Sequence, residues 1–316
     1  MTKISVLTTI YNETFFQVKR AIQSVKSQSG QNFVVEHVIV IDNPQYKDMK
    51  QLSKLSNALN SRNFYTNIVQ NERNLGLSQS LNKAIEISSS DILARLDSDD
   101  WMSHGRLCTQ YQSLITMNAD IVYTDTLLSR VDRRENEYVS ALGADKINKL
   151  LPLKNFISHS SVMFLKPAVI SVGKYRKLEP AEDYDLWLRL KNAGKKFAYV
   201  SEPLTIREIR SDSISNSNLY YQIKMAKFVR KLNKHHEKNL QDVMEIPQNL
   251  KNRHKLEKIN KKISAFRASG GLKKFCLGLS SVFIIRTSLN DVYFKCVLIN
   301  MNLKNKLKTG TSPNYF

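Results

Sequence analysis

Cysteine is scarce: Cys108, Cys276 and Cys296 are the only three in 316 residues. They are far apart, odd in number and in no metal-ligand spacing, which excludes a disulfide scaffold and fits a reducing cytosol. Glycine-rich phosphate loops are missing too, since neither GxGxxG nor GxxxxGK occurs. Neither apolar stretch near the carboxyl end reaches the ~20 residues needed to cross a bilayer. Strand-like Ile4–Thr9 begins almost at once, so no signal peptide is expected. No internal repeat or low-complexity segment is visible.

What is present is the composition of a folded protein, 42% apolar and 24% charged. The length suits one large domain plus an appendage. The net charge of +20 is unevenly spread, because residues 216–316 hold 20 Lys and Arg against 5 Asp and Glu, whereas residues 1–215 hold 28 against 23. The tail therefore carries the basicity. Such an excess favours an anionic partner, either nucleic acid or an acidic lipid surface.

Strand and helix patterns alternate through residues 1–130. Strand-like runs cover 4–9, 34–42, 67–70, 92–97 and 121–123, with helical patterns over 15–28, 46–60, 78–87 and 106–117. This alternation predicts an α/β fold with a mainly parallel sheet covered on both faces. Residues 131–215 are more mixed, with a strand at 162–165 and a short helix after Pro167. An amphipathic helix then runs from Glu182 to Ala193, with Leu186, Leu190 and Ala193 on one face, and stops at Gly194 before a strand at 197–200. From Leu219 onward the pattern is helical and basic, with a break near Pro247. Lysines flanking aromatic and aliphatic residues over 272–303 fit a helix lying in a membrane interface, or one docked on the domain core.

The stretch richest in chemistry is Asp91-Ile-Leu-Ala-Arg-Leu-Asp97-Ser-Asp99-Asp100-Trp101, an apolar run that ends in three carboxylates. A parallel sheet would put Asp97 and Asp99 on a turn at its carboxyl edge, where open α/β proteins bind ligands. Crowded carboxylates repel, so the cluster is most stable around a cation or other positive groups. Mg²⁺ is usually held by one or two carboxylates plus substrate phosphate oxygens, which points to a metal-bridged nucleotide. Left solvated, the same turn would merely cap the helix that starts near Ser103. Three other strands end alike: Thr9, Tyr11 and Asn12 follow the first, Asp42 and Asn43 the second, Arg73 and Gly76 the third. One polar strand end says little, but four at one edge make a pocket.

These segments resemble the family 2 inverting glycosyltransferases, whose nucleotide-sugar-binding domain has the GT-A fold. The likeness spans about residues 3–210 and is carried by SVLTTIYNE (5–13), VIVIDN (38–43), NERNLGLSQSLNKAI (71–85), ARLDSDDW (94–101), HSSVMF (159–164) and AEDYDLWLRL (181–190). It implies a catalytic domain over residues 1–215 followed by a basic helical extension over 216–316. It also implies that Thr9 and Tyr11, with Asn12 beside them, line the nucleobase and ribose site, and that Asp42 and Arg73 contact the uracil. Asp97 and Asp99 match a DxD-type pair, in which Asp97 reaches the ribose or metal and Asp99 ligates Mg²⁺ or Mn²⁺ on the diphosphate. Asp183 matches the catalytic base, Glu182 precedes it, and His159 matches a position near the donor sugar or acceptor. The chain also departs from the pattern. Where many relatives carry Tyr-Arg-x-His, it reads Ile206-Arg-Glu-Ile-Arg210, so Arg210 stands in for the His as a cation for the leaving diphosphate. The second strand ends Asp-Asn rather than Asp-Asp.

Inverting transfer is a single in-line displacement, needing one base on the acceptor hydroxyl opposite the departing diphosphate. In the first turn of its helix, Asp183 would be favoured as an anion by the helix dipole. Outside the family context, Glu182 and Asp183 read as ordinary helix-start acids and His159 as a structural histidine. His235, His236 and His254 have no consistent ligand spacing. The resemblance thus implies a metal-dependent enzyme moving a hexose or N-acetylhexosamine from a UDP-linked donor to a saccharide on a lipid carrier. Capsule, O-antigen or related polysaccharide assembly is its natural setting. The tail, residues 272–303 above all, would hold it on the anionic cytoplasmic face of the plasma membrane. A nucleic-acid-binding protein is the rival suggested by charge, but no recognised motif supports it. A nucleotidyltransferase would need a basic, Gly-rich loop, and residues 5–16 contain no Gly, Lys or Arg. An idle sugar-nucleotide binder is disfavoured by the intact Asp97, Asp99 and Asp183.

Overall fold

The computed structural model describes residues 1–30, 33–130, 135–209 and 219–234. Four Val- and Ile-rich strands, β1 (Thr2–Ile10), β2 (Phe33–Ile41), β3 (Phe64–Gln70) and β4 (Ile92–Arg95), pair in parallel in the order β3-β2-β1-β4. Helices α1 (Phe15–Lys26), α2 (Met49–Leu59) and α3 (Leu77–Ile87) make the crossovers. Thr14 starts α1 with a capping box completed by Gln17. Side chains alternate across the sheet. Ile4, Val6 and Ile39 enter one core cluster, while Leu7, Val38 and Val40 enter the other. The expected α/β architecture with both faces covered is what the chain adopts.

Beyond β4 the sheet becomes mixed. The short β5 (Trp101–Met102) precedes α4 (Arg106–Thr116), β6 (Ile121–Arg130), β7 (Glu135–Val139) and α5 (Ile147–Leu150). Then come β8 (Val162–Leu165), α6 (Lys166–Ser171), α7 (Glu182–Asn192), β9 (Phe197–Ile209) and α8 (Leu219–Lys234). The sheet continues β4-β8-β6-β9-β5, with β8 antiparallel to β4 and β7 added to β6. Because β8 runs backwards, its start lies at the edge where β1–β4 finish.

Three expectations need correction. The strands at 121–123 and 197–200 are the opening residues of much longer ones, β6 and β9, which pair in parallel from Ile121↔Phe197 to Arg130↔Ile209. The register skips at Asp125, where Val200 is followed in the pairing by Pro203, and this irregularity accommodates the proline. Ala193 is exposed rather than on the buried face of α7, since it is the residue at which the helix ends. The acidic turn does not cap α4, whose first turn holds no acid and whose N-cap is Gly105.

Helix α8 packs on α7, and Met225, Val229 and Leu232 join the core cluster beneath it. Among the described residues no helix is long and apolar enough to cross a membrane. Arg210, His235, His236, His254 and segment 272–303 lie outside the described residues.

Candidate active site

The parallel order β3-β2-β1-β4 brings the ends of all four strands to one edge. On the β2–β3 side, Asp42 is buried, and its Oδ1 accepts hydrogen bonds from Asn71 Nδ2 (2.8 Å) and the Leu75 N–H (2.8 Å). Its Oδ2 accepts from the Gly76 N–H at 2.9 Å. Gly76 has φ +87°, the left-handed geometry that favours glycine, and it opens α3. Asp42 thus shapes the loop that carries Arg73, whose side chain is exposed. Tyr11 and Asn12 are also exposed, tied to the end of β2 by Asn43 Nδ2, which donates to the Tyr11 carbonyl and Asn12 Oδ1, both at 3.0 Å. Thr9 is half-buried at the end of β1.

The acidic turn after β4 rests on buried arginines. Arg95, 1% exposed, donates to the Leu7 carbonyl at 3.2 Å and to Asp97 Oδ1 at 2.5 Å. Arg106 lies beneath, fully buried, donating to the Arg95 carbonyl at 2.9 Å. Burial alone would lift the Asp97 carboxyl, but Arg95 and Arg207 hold it below its usual range. Asp99 is pushed up to about 6 by burial and by the charges of Asp97 and Glu13. Asp100 is raised well above the usual carboxylate range by burial, Asp97 and Asp99. Two more contacts pin the turn. Arg20 donates to the Asp99 carbonyl at 2.7 Å and lies 3.8 Å over the Trp101 ring. The pairing Trp101↔Ile206 between β5 and β9 sets Arg207 beside Asp100, with Nε 3.8 Å from Oδ2.

Helix α7 supplies the opposite wall. Asp183 is half-buried in its first turn, where Oδ2 accepts from Asn155 Nδ2 (3.0 Å) and Oδ1 from the Tyr184 N–H (2.6 Å). Burial pushes the Asp183 carboxyl up to about 6, against the pull of those two hydrogen bonds and of Arg207. Its neighbour Glu182 is buried and raised to about 8, first by burial and then by Asp183, so it keeps its proton at neutral pH. His159 is driven down to about 3 by burial and by Arg95, leaving a neutral imidazole. Its Nε2 shares a 2.8 Å hydrogen bond with the Tyr175 hydroxyl, and Nδ1 stands 3.9 Å from Glu182 Oε1. Ser160 Oγ accepts the Asp97 N–H at 3.0 Å, which joins HSSVMF directly to ARLDSDDW.

Residues 5–173 match the profile of Glycosyl transferase family 2. The chain belongs to that family. It is 29% identical over 224 residues to an amylovoran biosynthesis glycosyltransferase of Erwinia amylovora, covering 70% of this chain and 81% of the relative. An O-antigen biosynthesis glycosyltransferase of Escherichia coli is 30% identical over 207 residues, 64% of this chain and 78% of its own. A third relative, the UDP-Gal:alpha-D-GlcNAc-diphosphoundecaprenol beta-1,3-galactosyltransferase of Escherichia coli, is 30% identical over 59% of this chain and 67% of its own. Among solved structures, S. aureus TarS 1–349 with UDP-GlcNAc superposes with a TM-score of 0.56 at 16% identity, covering 73% of this chain and 67% of that one. That likeness concerns the fold.

In this family 2 glycosyltransferase, Asp97, Asp99, Asp183 and His159 come together, each within electrostatic reach of Arg207 or Asp97. Thr9, Tyr11, Asn12, Asp42 and Arg73 gather along the same edge but on the β1–β3 side. Three residues escaped the sequence reading. Arg207 is a described cation facing the carboxylates from β9, while Arg210 lies outside the described residues. Asn155 holds Asp183, and Arg95 supports Asp97; Arg95 and Arg207 each lay within a quoted segment but were given no role there, and nothing local marked Asn155.

The donor set suits a divalent cation. The Asp99 carboxylate accepts no hydrogen bond from another described residue, and its charge is opposed by burial, Asp97 and Glu13. Among the described residues no group of three or more His, Cys, Asp or Glu converges on one point. An ion here would therefore take one or two carboxylates from the protein and its remaining ligands from donor phosphates, the usual habit of Mg²⁺.

Proposed function

We propose that this protein transfers a hexose or N-acetylhexosamine, with inversion, from a UDP-linked donor to a lipid-linked saccharide in bacterial surface-polysaccharide assembly. One observation carries the reading: an aspartate oriented by an asparagine, Asp183, faces the same ligand edge as Asp97 and Arg207. The relatives' names support the setting, since they include O-antigen and amylovoran biosynthesis and a UDP-galactose donor with a diphosphoundecaprenol acceptor.

In the proposed step, ionised Asp183 accepts the proton of the acceptor hydroxyl as its oxygen attacks the anomeric carbon. The bond from that carbon to the diphosphate oxygen breaks on the opposite face, and the electron pair leaves with UDP. Thr9, Tyr11, Asp42 and Arg73 hold the nucleoside, Asp97 the ribose, and Arg207 meets the charge that develops on the diphosphate. Asp99, with Asp97, would hold Mg²⁺ or Mn²⁺, which as a Lewis acid lets the leaving group depart unprotonated. His159 and protonated Glu182 form the neutral backing of Asp183. A basic tail over 216–316 suits an acceptor carried in an anionic membrane.

Asp183→Asn tests the assignment. Transfer should fall by roughly 10²–10⁴-fold while UDP affinity stays within about twofold. Full transfer activity in that variant would exclude Asp183 as the base.

A further inference from the structure

At the far end of α7 from Asp183, a cavity of about 490 Å³ opens between α7, α8 and the loop after α5. Pro152 and Leu188 form apolar walls, and Lys191, Arg230, Lys231 and Lys234 line the rest. Asn192 and Asn233 complete the lining, which among the described residues contains no carboxylate. The asparagines are committed to structure. Asn233 Nδ2 donates to the buried Asp185 Oδ1 at 2.9 Å, and Asn192 Nδ2 to the Asn233 carbonyl at 3.0 Å. Among the described residues none of the four cations is paired with an acid. Lys191 Nζ reaches only Asn192 Oδ1 at 3.4 Å, and Arg230 hydrogen-bonds the Tyr184 hydroxyl.

Helix dipoles account for a cation at the end of α7 and others at the end of α8. They do not account for four cations brought onto one concavity, where like charges repel unless an anion sits among them. The cavity falls within the size range of small-ligand sites. It also shares parts with the active site. The Tyr184 hydroxyl that Arg230 contacts donates to the Leu151 carbonyl at 2.7 Å, and the following loop carries Pro152 into the cavity and Asn155 to Asp183. Along α7, Leu188 lies five residues beyond Asp183, roughly 7.5 Å at the helical rise.

We propose that this pocket binds a phosphate or diphosphate group, with the anionic part of the acceptor as its occupant in catalysis. The choice of acceptor rests on the function proposed above, whereas the affinity for phosphate does not. Arg230 and the lysines supply donors to the phosphate oxygens, and Pro152 and Leu188 supply a surface against which an attached apolar or sugar moiety can lie.

The full chain titrated with inorganic pyrophosphate by calorimetry, in the presence of a chelator, tests this directly. The chelator removes any metal-dependent binding of diphosphate at the acidic site. Lys231→Glu with Lys234→Glu, both exposed, should weaken binding by at least about tenfold. Lys50→Glu with Lys54→Glu, exposed on α2 and equal in net charge, should leave it unchanged. A second arm floats the protein on phosphatidylcholine vesicles doped with phosphatidic acid. Release by soluble pyrophosphate would identify a lipid-borne phosphate as the occupant, and unaltered flotation would identify a soluble one; either supports the pocket. Wild-type protein that does not bind pyrophosphate, or equal losses in both double variants, would overturn it. Neither result bears on Asp183, whose test is transfer itself.

Discussion

On the β2–β3 side of the ligand edge, Asp42 is saturated by three donors from one short loop, and the exposed Tyr11, Asn12 and Arg73 stand around it. Across β4 the carboxyl groups live differently. Asp99, Glu182 and Asp183 sit in partly desolvated positions with few donors, and all three hold protons more tightly than a carboxyl in water. The contrast lies in what each side does with burial. The first side uses charge to fix backbone shape, so its acid is satisfied before any ligand arrives. The second leaves charge unsatisfied, and arginines from below and from β9 keep it tolerable. In the proposed reaction, nucleotide binding draws on the first arrangement and proton transfer on the second.

Arg207 gives the largest effect after Asp183 itself. It is the one described cation of β9 whose charge is felt by Asp97, Asp99, Asp100 and Asp183. If it meets developing diphosphate charge, Arg207→Ala should lower kcat by about 10²-fold with a much smaller change in donor KM. Arg207→Lys should restore part of the loss. Single-turnover transfer assays separate these quantities. A variant with wild-type kcat would reduce Arg207 to a partner of Asp100 and move the catalytic charge elsewhere.

Much of the first side was legible in sequence, because Val- and Ile-rich strands announce themselves and parallel pairing converts each polar strand end into an edge position. The second side was legible only in its acids. ARLDSDDW, HSSVMF and AEDYDLWLRL mark Asp97, His159 and Asp183, yet nothing local says that Ser160 binds the Asp97 backbone or that Asn155 holds Asp183. Those contacts join residues 63 and 28 positions apart. Arg207 stood in the quoted 206–210 segment, but its place did not show, because the strand read over 197–200 stops short of it. The skipped pairing at Asp125 lets β9 run on past Pro203 and deliver Arg207 to the acidic turn.

Asn155 probes how the second side sets its protonation. As the proposed base, Asp183 must be ionised to accept a proton, so transfer should decline as pH falls through about 6. The Asn155 hydrogen bond favours the anion, and its loss raises the folded-state pKa further. Asn155→Ala should therefore move the acid limb of the kcat/KM profile to higher pH and cost about tenfold below neutrality. At high pH much of the activity should return. An unmoved acid limb would mean that Asn155 serves the loop alone.

Asp42→Asn should have the smallest effect and bears on the other half of the contrast. An amide keeps the size of the carboxylate but turns one acceptor into a donor, so either Gly76 loses one of its two acceptors, keeping Asn74 Oδ1, or Leu75 and Asn71 lose the acceptor they share. The loop should loosen, lowering unfolding stability by about 1 kcal/mol, a fall readable in urea denaturation. Donor KM should rise severalfold because the loop also presents Arg73, while kcat stays near wild type. Should kcat collapse with stability unchanged, Asp42 would belong to the reacting set. The division between a satisfied binding side and an unsatisfied chemical side would then no longer hold.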